Sequence, residues 1–292
     1  MKAAVVGANG QLGCDVVLAL NVAGCETIPL THQDIELADL QSVASVVRSI
    51  RPDFVVNTAA MHNVEKCECD PERAYVVNAI GARNLAVVTR DEGAALLHIS
   101  TDYVFDGTKT TPYVEGDEPL PLNVYGNSKL AGECYVRTIN PRHFVLRTSA
   151  LYGTNPCRAK GGLNFVDLML KLARETGQMR VVDSERVSPT STDELATQIA
   201  ALSKSDAYGL YHATAEDSCS WYEFAREILS VAGVEAKLSV ASPDEFPAKV
   251  ARPRCSVLEN AALKRAGLNC FGPWQGGLRR YLKQVGSALA AA

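Results

Sequence analysis

Ala3-Ala4-Val5-Val6-Gly7-Ala8-Asn9-Gly10-Gln11-Leu12-Gly13 runs from a short apolar stretch into glycines at spacing three and three, and Leu12, Val16, Val17 and Leu20 follow at helical spacing. This reads as strand, glycine turn, helix. Glycines also serve ordinary tight turns, so the motif gains meaning from its place where a first strand feeds a first helix. Lacking side chains, the turn lets backbone approach a pyrophosphate, while the helix start offers free N–H groups and a partial positive charge. Gly7, Asn9, Gly10, Gln11, Leu12 and Gly13 are therefore the candidate dinucleotide contacts.

Outward from this turn the alternation repeats. An apolar run at Thr27–Leu30 precedes a helix at Leu40–Ile50, then Phe54–Asn57, a helix at Ala74–Asp91 and the run Ala94–Ile99. Pro112, Pro119 and Pro121 mark a loop between Asp106 and Leu122, followed by a helix at Tyr125–Val136 and a strand at His143–Arg147. Strands separated by helices imply an α/β fold, a Rossmann-type doubly wound parallel sheet over residues 1–150. Residues 151–292 read as a smaller, mainly helical, substrate-binding portion that is free to interleave with the first. Its clearest amphipathic helix is Trp221–Ala232, and Ala290–Ala292 form a tail expected to fray.

The 292 residues are 47% hydrophobic and 21% charged, enough apolar material for a sizeable core and too much for disorder. A net charge of -4 with no Lys/Arg stripe argues against nucleic acid as a partner. No apolar stretch approaches the roughly 18 residues of a membrane span. The N-terminal MKAAVVGANGQLG lacks the long apolar core of a signal peptide, so the expectation is a cytoplasmic protein without membrane contact. Nine cysteines, an odd number without CxxC pairs, are expected to be mostly reduced core thiols. Cys67-Glu68-Cys69 supplies too few ligands for zinc, so no metal is expected.

Tyr125-Gly126-Asn127-Ser128-Lys129 places a phenol and an amine four residues apart, on one face of a helix. An ammonium beside a phenol favours the phenolate and moves it toward the range useful for acid–base work. By themselves such pairs occur on many solvated helices. The context is the strand Ala95–Ile99, which ends in Ser100, Thr101 and Asp102 where open parallel sheets bind ligands. Tyr103 and Phe105 follow, and core packing is the expectation for Phe105. After the second strand, Thr31-His32-Gln33 stands where a carboxylate would bind a ribose 2'-hydroxyl, which leans toward NADPH over NADH; Asp34 and Glu36 follow closely.

The chain resembles the extended short-chain dehydrogenases, and within them the dTDP-4-dehydrorhamnose reductase family. The resemblance rests on GANGQLG at 7–13, STDYVFDG at 100–107, PLNVYGNSKLAGE at 121–133, RTSALYG at 147–153, SPTSTDELA at 188–196, SWYEFAREI at 220–228 and RPRCSVLENAALK at 252–264. It implies that Thr101, Tyr125 and Lys129 are catalytic. It also implies that Glu36, Leu37, Ala59, Ala60, Met61 and Ser100 join the glycine turn, Tyr125 and Lys129 around NADPH or NADH. Thr101, Asp102, Tyr103, Ala150 and Asn164 would then touch a nucleotide-linked sugar, and a homodimer would be the assembly. The implied activity is reduction of the 4-keto group of a nucleotide-linked 6-deoxyhexose, dTDP-4-dehydrorhamnose to dTDP-L-rhamnose.

Three departures bear on the sugar pocket. The family usually has His-Thr where this chain has Met61-His62, Trp where it has Ala150, and a shorter connection than the stretch Gly153–Gly162. Two further readings stay open: an epimerase or dehydratase with tightly held NAD, and a non-catalytic dinucleotide-binding subunit resembling the regulatory β subunit of methionine adenosyltransferase. Retention of Thr101, Tyr125 and Lys129 argues for catalysis.

Overall fold

The computed structural model describes residues 1–157, 161–242 and 249–290. In its first half β1 (Lys2–Val6), α1 (Gln11–Val22), β2 (Glu26–Leu30), α2 (Leu40–Ile50) and β3 (Phe54–Asn57) match the alternation expected from the apolar runs. The helix expected at Ala74–Asp91 is present with a π turn inside it: after α3 (Val64–Cys69), α4 (Pro71–Tyr75), the π turn (Val76–Ile80) and α5 (Gly81–Asp91) follow without a break. The side chains of Asn63 and Asp70 cap α3 and α4 in turn, and Pro71 opens α4 at a position where its missing N–H costs nothing.

Next come β4 (Ala95–Thr101), a 3₁₀ turn (Asp102–Val104), α6 (Val124–Ile139) and β5 (His143–Thr148). The remaining elements are β6 (Leu151–Tyr152), α7 (Phe165–Thr176), β7 (Gln178–Val181), β8 (Arg186–Val187), β9 (Thr190–Ser191), α8 (Thr192–Leu202), β10 (Gly209–His212), β11 (Cys219–Ser220), α9 (Trp221–Ala232), β12 (Lys237–Val240), α10 (Ala261–Arg265) and α11 (Trp274–Ala290). Of the alanine tail expected to fray, Ala290 ends α11, and the last two residues lie outside the described ones.

The main sheet is parallel throughout, in the order β10-β5-β4-β3-β1-β2. Alternate residues of each strand serve opposite faces. Ala3, Val5, Phe54, Val56, Leu97 and Leu146 pack under α1 and α8, whereas Ala4, Val6, Val55, Leu96 and Val145 pack under α2, α5 and α6. The sheet does not stop at residue 150. Its edge strand β10 pairs with β5 (Leu210 opposite Val145), and α8 buries Leu195, Ile199 and Leu202 on the α1 side. A four-residue edge strand carries no periodicity that could be read in advance. A separate core around Tyr152, Val166, Phe224, Trp274 and Leu278 holds the second lobe, and Phe105 packs at 0% exposure against Tyr113.

All nine cysteines are free, but only Cys67, Cys157 and Cys219 are buried, so most are not core thiols. Among the described residues no helix is long and apolar enough to cross a membrane.

Inside the sheet, Arg147 on β5 and Glu133 on α6 form a buried ion pair of 2.7 Å, at 1% and 0% side-chain exposure, and Ser100 on β4 donates to the same carboxylate. Removing one partner of such a pair strands the other charge. Glu133→Ala is expected to cost about 3–5 kcal/mol in urea denaturation. A loss below about 1 kcal/mol would show that Arg147 is satisfied without it.

Candidate active site

At the end of β1 the chain turns through Gly7, whose φ of 79° lies in the left-handed region and whose added Cβ would sit 2.8 Å from Thr58 Oγ1. The N–H groups of Gly7 and Ala8 donate to the Leu30 carbonyl at 2.9 and 3.1 Å, tying the turn to the end of β2. A Cβ on Gly13 would collide with the Gly7 carbonyl, so this glycine lets α1 approach the strand. Gly10 differs. It is the N-cap of α1 with no side-chain bond, and a Cβ there meets only the Gly7 carbonyl, at 3.2 Å. The first-turn N–H groups of α1 are left for a ligand, and the cradle fits a pyrophosphate.

The turn lines a cleft of about 1010 Å³ beyond the carboxyl ends of the strands, where strand order reverses between β1 and β3. This volume exceeds a single small-ligand pocket and suits a dinucleotide with a second substrate beside it. Glu36, Leu37, Ala59 and Ala60 share its wall with the glycine turn, and Thr101, Asp102, Tyr103, Tyr125, Lys129, Ala150 and Asn164 line the rest.

Met61 does not line the cleft. Its N–H donates to Asn78 Oδ1 at 2.8 Å and its carbonyl accepts from Asn78 Nδ2 at 2.9 Å, so the π turn holds its backbone and His62 faces the cleft instead. Ser100 reaches the wall, but its hydroxyl points inward to Glu133. Asn164 also spends its side chain internally. It caps α7 at 3.1 Å from the Asp167 N–H and donates to the Gly153 carbonyl and Tyr281 hydroxyl, both at 3.0 Å. His62, Arg73, Cys157, Glu185, Trp221, Arg252 and Ser256 are lining residues that carried no role in the sequence reading. Of these, Trp221 lay within the motif SWYEFAREI, and Arg252 and Ser256 within RPRCSVLENAALK, motifs that could have flagged them.

Helix α6 begins at Asn123, whose side chain accepts from the Gly126 N–H at 2.9 Å. A Cβ on Gly126 would strike the Tyr103 carbonyl. This close approach brings Tyr125 against Tyr103, with ring centroids 5.7 Å apart, and into a hydrogen bond with Thr101. Thr101 Oγ1 donates to Asp102 Oδ1 at 3.0 Å, and Asp102 also accepts from Ser149 at 2.8 Å and from Ser256. Burial raises the Asp102 pKa against these three hydroxyls.

Burial pushes the Tyr125 phenol well above its ordinary value, outweighing the Thr101 hydrogen bond that lowers it. The expected lowering by Lys129 does not occur, because the amine is engaged elsewhere: Nζ donates to the Ile99 carbonyl at 2.5 Å and lies 3.2 Å from His98 Nε2. Tyr125 is therefore a neutral O–H donor. Burial brings Lys129 down to about 8, with Glu133 opposing the shift.

The described part of the Gly153–Gly162 stretch lies over the start of α1. Gln11 Nε2 donates to the Gly153 and Asn155 carbonyls at 3.3 and 3.1 Å, and Asn155 Nδ2 donates to Asp15 at 3.1 Å. Cys157 and Gly162 exchange backbone bonds of 3.1 and 3.0 Å, and Cys157 Sγ stands 3.7 Å from His62 Nε2 across the cleft. Residues 158–160 of the stretch lie outside the described ones.

A glycine-cradled dinucleotide crevice on a parallel sheet, shared with a threonine, a neutral phenol and a buried lysine, defines an oxidoreductase of the short-chain dehydrogenase/reductase type. The chain belongs to the family described as RmlD substrate binding domain, whose model matches residues 1–287. It is 40% identical to the spore coat polysaccharide biosynthesis protein SpsK of Bacillus subtilis, covering 98% of this chain and 99% of that one. It is 37% identical to dTDP-4-keto-6-deoxy-D-glucose reductase of Streptomyces niveus, over 92% of each. The solved dTDP-4-dehydrorhamnose reductase of Bacillus anthracis, in complex with NADP, superimposes with a TM-score of 0.92 at 37% identity, covering 97% of this chain and 99% of that chain.

Since the Gly10 Cβ direction meets little protein, Gly10→Val is expected to keep the fold and abolish dinucleotide binding. Gly13→Ala should instead lower the melting temperature. NADPH fluorescence titration and thermal melts of both variants separate the two roles.

Proposed function

We propose that the protein is an NAD(P)H-dependent sugar-nucleotide reductase acting on the 4-keto group of a nucleotide-linked 6-deoxyhexose, with dTDP-4-dehydrorhamnose as substrate and dTDP-L-rhamnose as product. The observation that carries this reading is the Tyr125 phenol, protonated and hydrogen-bonded to Thr101, in the same cleft as the glycine turn. The relatives named as reductases of 4-keto sugar nucleotides support it.

NAD(P)H, when bound, supplies the hydride for C4. Tyr125 gives its proton to the carbonyl oxygen as negative charge develops there, and Thr101 hydrogen-bonds the same oxygen. Asp102 holds Thr101 in place through the chain of hydroxyls it accepts. Lys129, an ammonium below about pH 8, lines the same cleft with its Nζ held against the Ile99 carbonyl. Exposed Arg73 and Arg252 offer cations to phosphate groups at the cleft rim.

NADPH is used in preference to NADH or equally well. Asp34 folds back to accept from the Thr31 N–H and hydroxyl, both at 2.8 Å, leaving Thr31 and His32 on the cleft wall. The second lobe carries the sugar, the enzyme works in the cytoplasm in the supply of deoxysugars for polysaccharide, and a homodimer is its assembly.

The direct test is the fall in NADPH or NADH absorbance on adding dTDP-linked and other 4-keto sugar nucleotides. Tyr125→Phe is expected to lower kcat by about 10²-fold or more with cofactor affinity unchanged. Near-normal turnover in that variant would point to a binding subunit instead.

Ala150 lines the cleft with a φ of 45°, a conformation that strains any side chain. Cys157, Phe165 and Trp221 occupy the same cleft, so an added indole overfills it. Ala150→Trp is expected to raise KM for the sugar nucleotide about tenfold or more, the scale of overpacking, and to leave the Kd for NADPH unchanged. Unchanged KM would place Ala150 outside the sugar subsite.

A further inference from the structure

Behind Lys129 lies a buried polar chain that the reduction itself does not use. Asn57 at the end of β3 and His98 on β4 are register partners, and both are 1% exposed. Asn57 Oδ1 accepts from the Ala59 N–H at 3.1 Å, which turns its amide nitrogen to His98 Nδ1 at 3.0 Å. On the other side of the ring, His98 Nε2 faces Lys129 Nζ at 3.2 Å.

A neutral imidazole has one donor and one acceptor nitrogen. With the Asn57 amide donating to Nδ1, the ring proton sits on Nε2 and points at Lys129. That contact is a hydrogen bond only if Lys129 is an amine. An ammonium requires the opposite tautomer, and the Nδ1–H would then face the Asn57 NH₂ unless the amide turns over and releases the Ala59 N–H. Charging His98 is no escape, since burial and the nearby lysine both hold its pKa well below the ordinary value.

We propose that His98, bridging Asn57 and Lys129 with a tautomer that follows the lysine's protonation, is a positioning residue for Lys129. It holds Nζ against β4 and couples the lysine's protonation to the Ala59 backbone in the cofactor cleft. Other ionisable groups around Lys129 are Glu133 one turn along α6, itself paired with Arg147 on β5, and Tyr125 one turn back. Beyond the phenol lie Asp102, Tyr103 and Cys67 of α3. None of these contacts the imidazole in a way that would set its tautomer.

This inference rests on Lys129 being part of the catalytic site, and its test needs no turnover. ¹⁵N NMR of the histidine-labelled wild-type protein reads the His98 tautomer directly. The expected result is Nε2–H above about pH 8, changing to Nδ1–H as Lys129 is protonated below it. A single tautomer across this range would overturn the proposal. In kinetics, His98→Asn, whose carbonyl can accept from Nζ without adding a charge, should move the Lys129 inflection of the kcat/KM profile upward by about one pH unit, a tenfold change in proton affinity. A purely structural role would lower activity or stability and leave that inflection where it is. Absence of turnover with every sugar nucleotide would sink the reductase reading alone, since the tautomer change would persist.

Discussion

Everything in the cleft depends on how α6 is held to the sheet. Glu133 and Arg147 form an ion pair with almost no solvent contact, and Ser100 adds a third partner from β4. Such a pair loses hydration on burial and is weak support for stability, but its geometry is directional. It fixes α6 in rotation and height above β4 and β5, so the helix face bearing Tyr125 and Lys129 meets the strand end bearing Thr101. The missing side chain of Gly126 then lets that face close on the 3₁₀ turn.

The electrostatics follow from this closeness. Desolvation dominates at Tyr125, Asp102 and Lys129 alike, pushing the two acids up and the base down. All three move toward neutrality, and hydrogen bonds only partly oppose the trend. A neutral phenol is the state a reductase needs before it protonates an oxygen. Lys129 Nζ is held by the Ile99 carbonyl and His98, which differs from direct contact with the phenol along the helix face.

The two lobes are interleaved in sequence. After β5 the chain enters the second lobe, returns to the first with α8 and β10, leaves for β11, α9 and β12, returns with α10 and ends in the second with α11. The segments β6, β8 and the residues around Asn164 line the cleft's far wall, and the stretch after Gly153 is bonded to the start of α1 through Gln11. The two walls of the cleft are thus joined by hydrogen bonds.

The alternation of apolar runs and helices, the glycine spacing and the Tyr–Lys interval were legible in the sequence because each is a local pattern with a fixed period. They determined the fold class and drew Gly7 to Gly13, Thr101, Tyr125 and Lys129 toward one crevice. Other features depend on residues far apart in the chain. The strand β10, the inward turn of Ser100, the clamping of Met61 by Asn78, and the facing of Cys157 to His62 all require the sheet to form first. So does the state of Lys129, since its distance to His98 and its loss of water exist only once α6 is packed on β4. Local periodicity names an element and the groups it carries; which way a polar side chain turns is decided by the partners that burial leaves it, and those come from the tertiary structure.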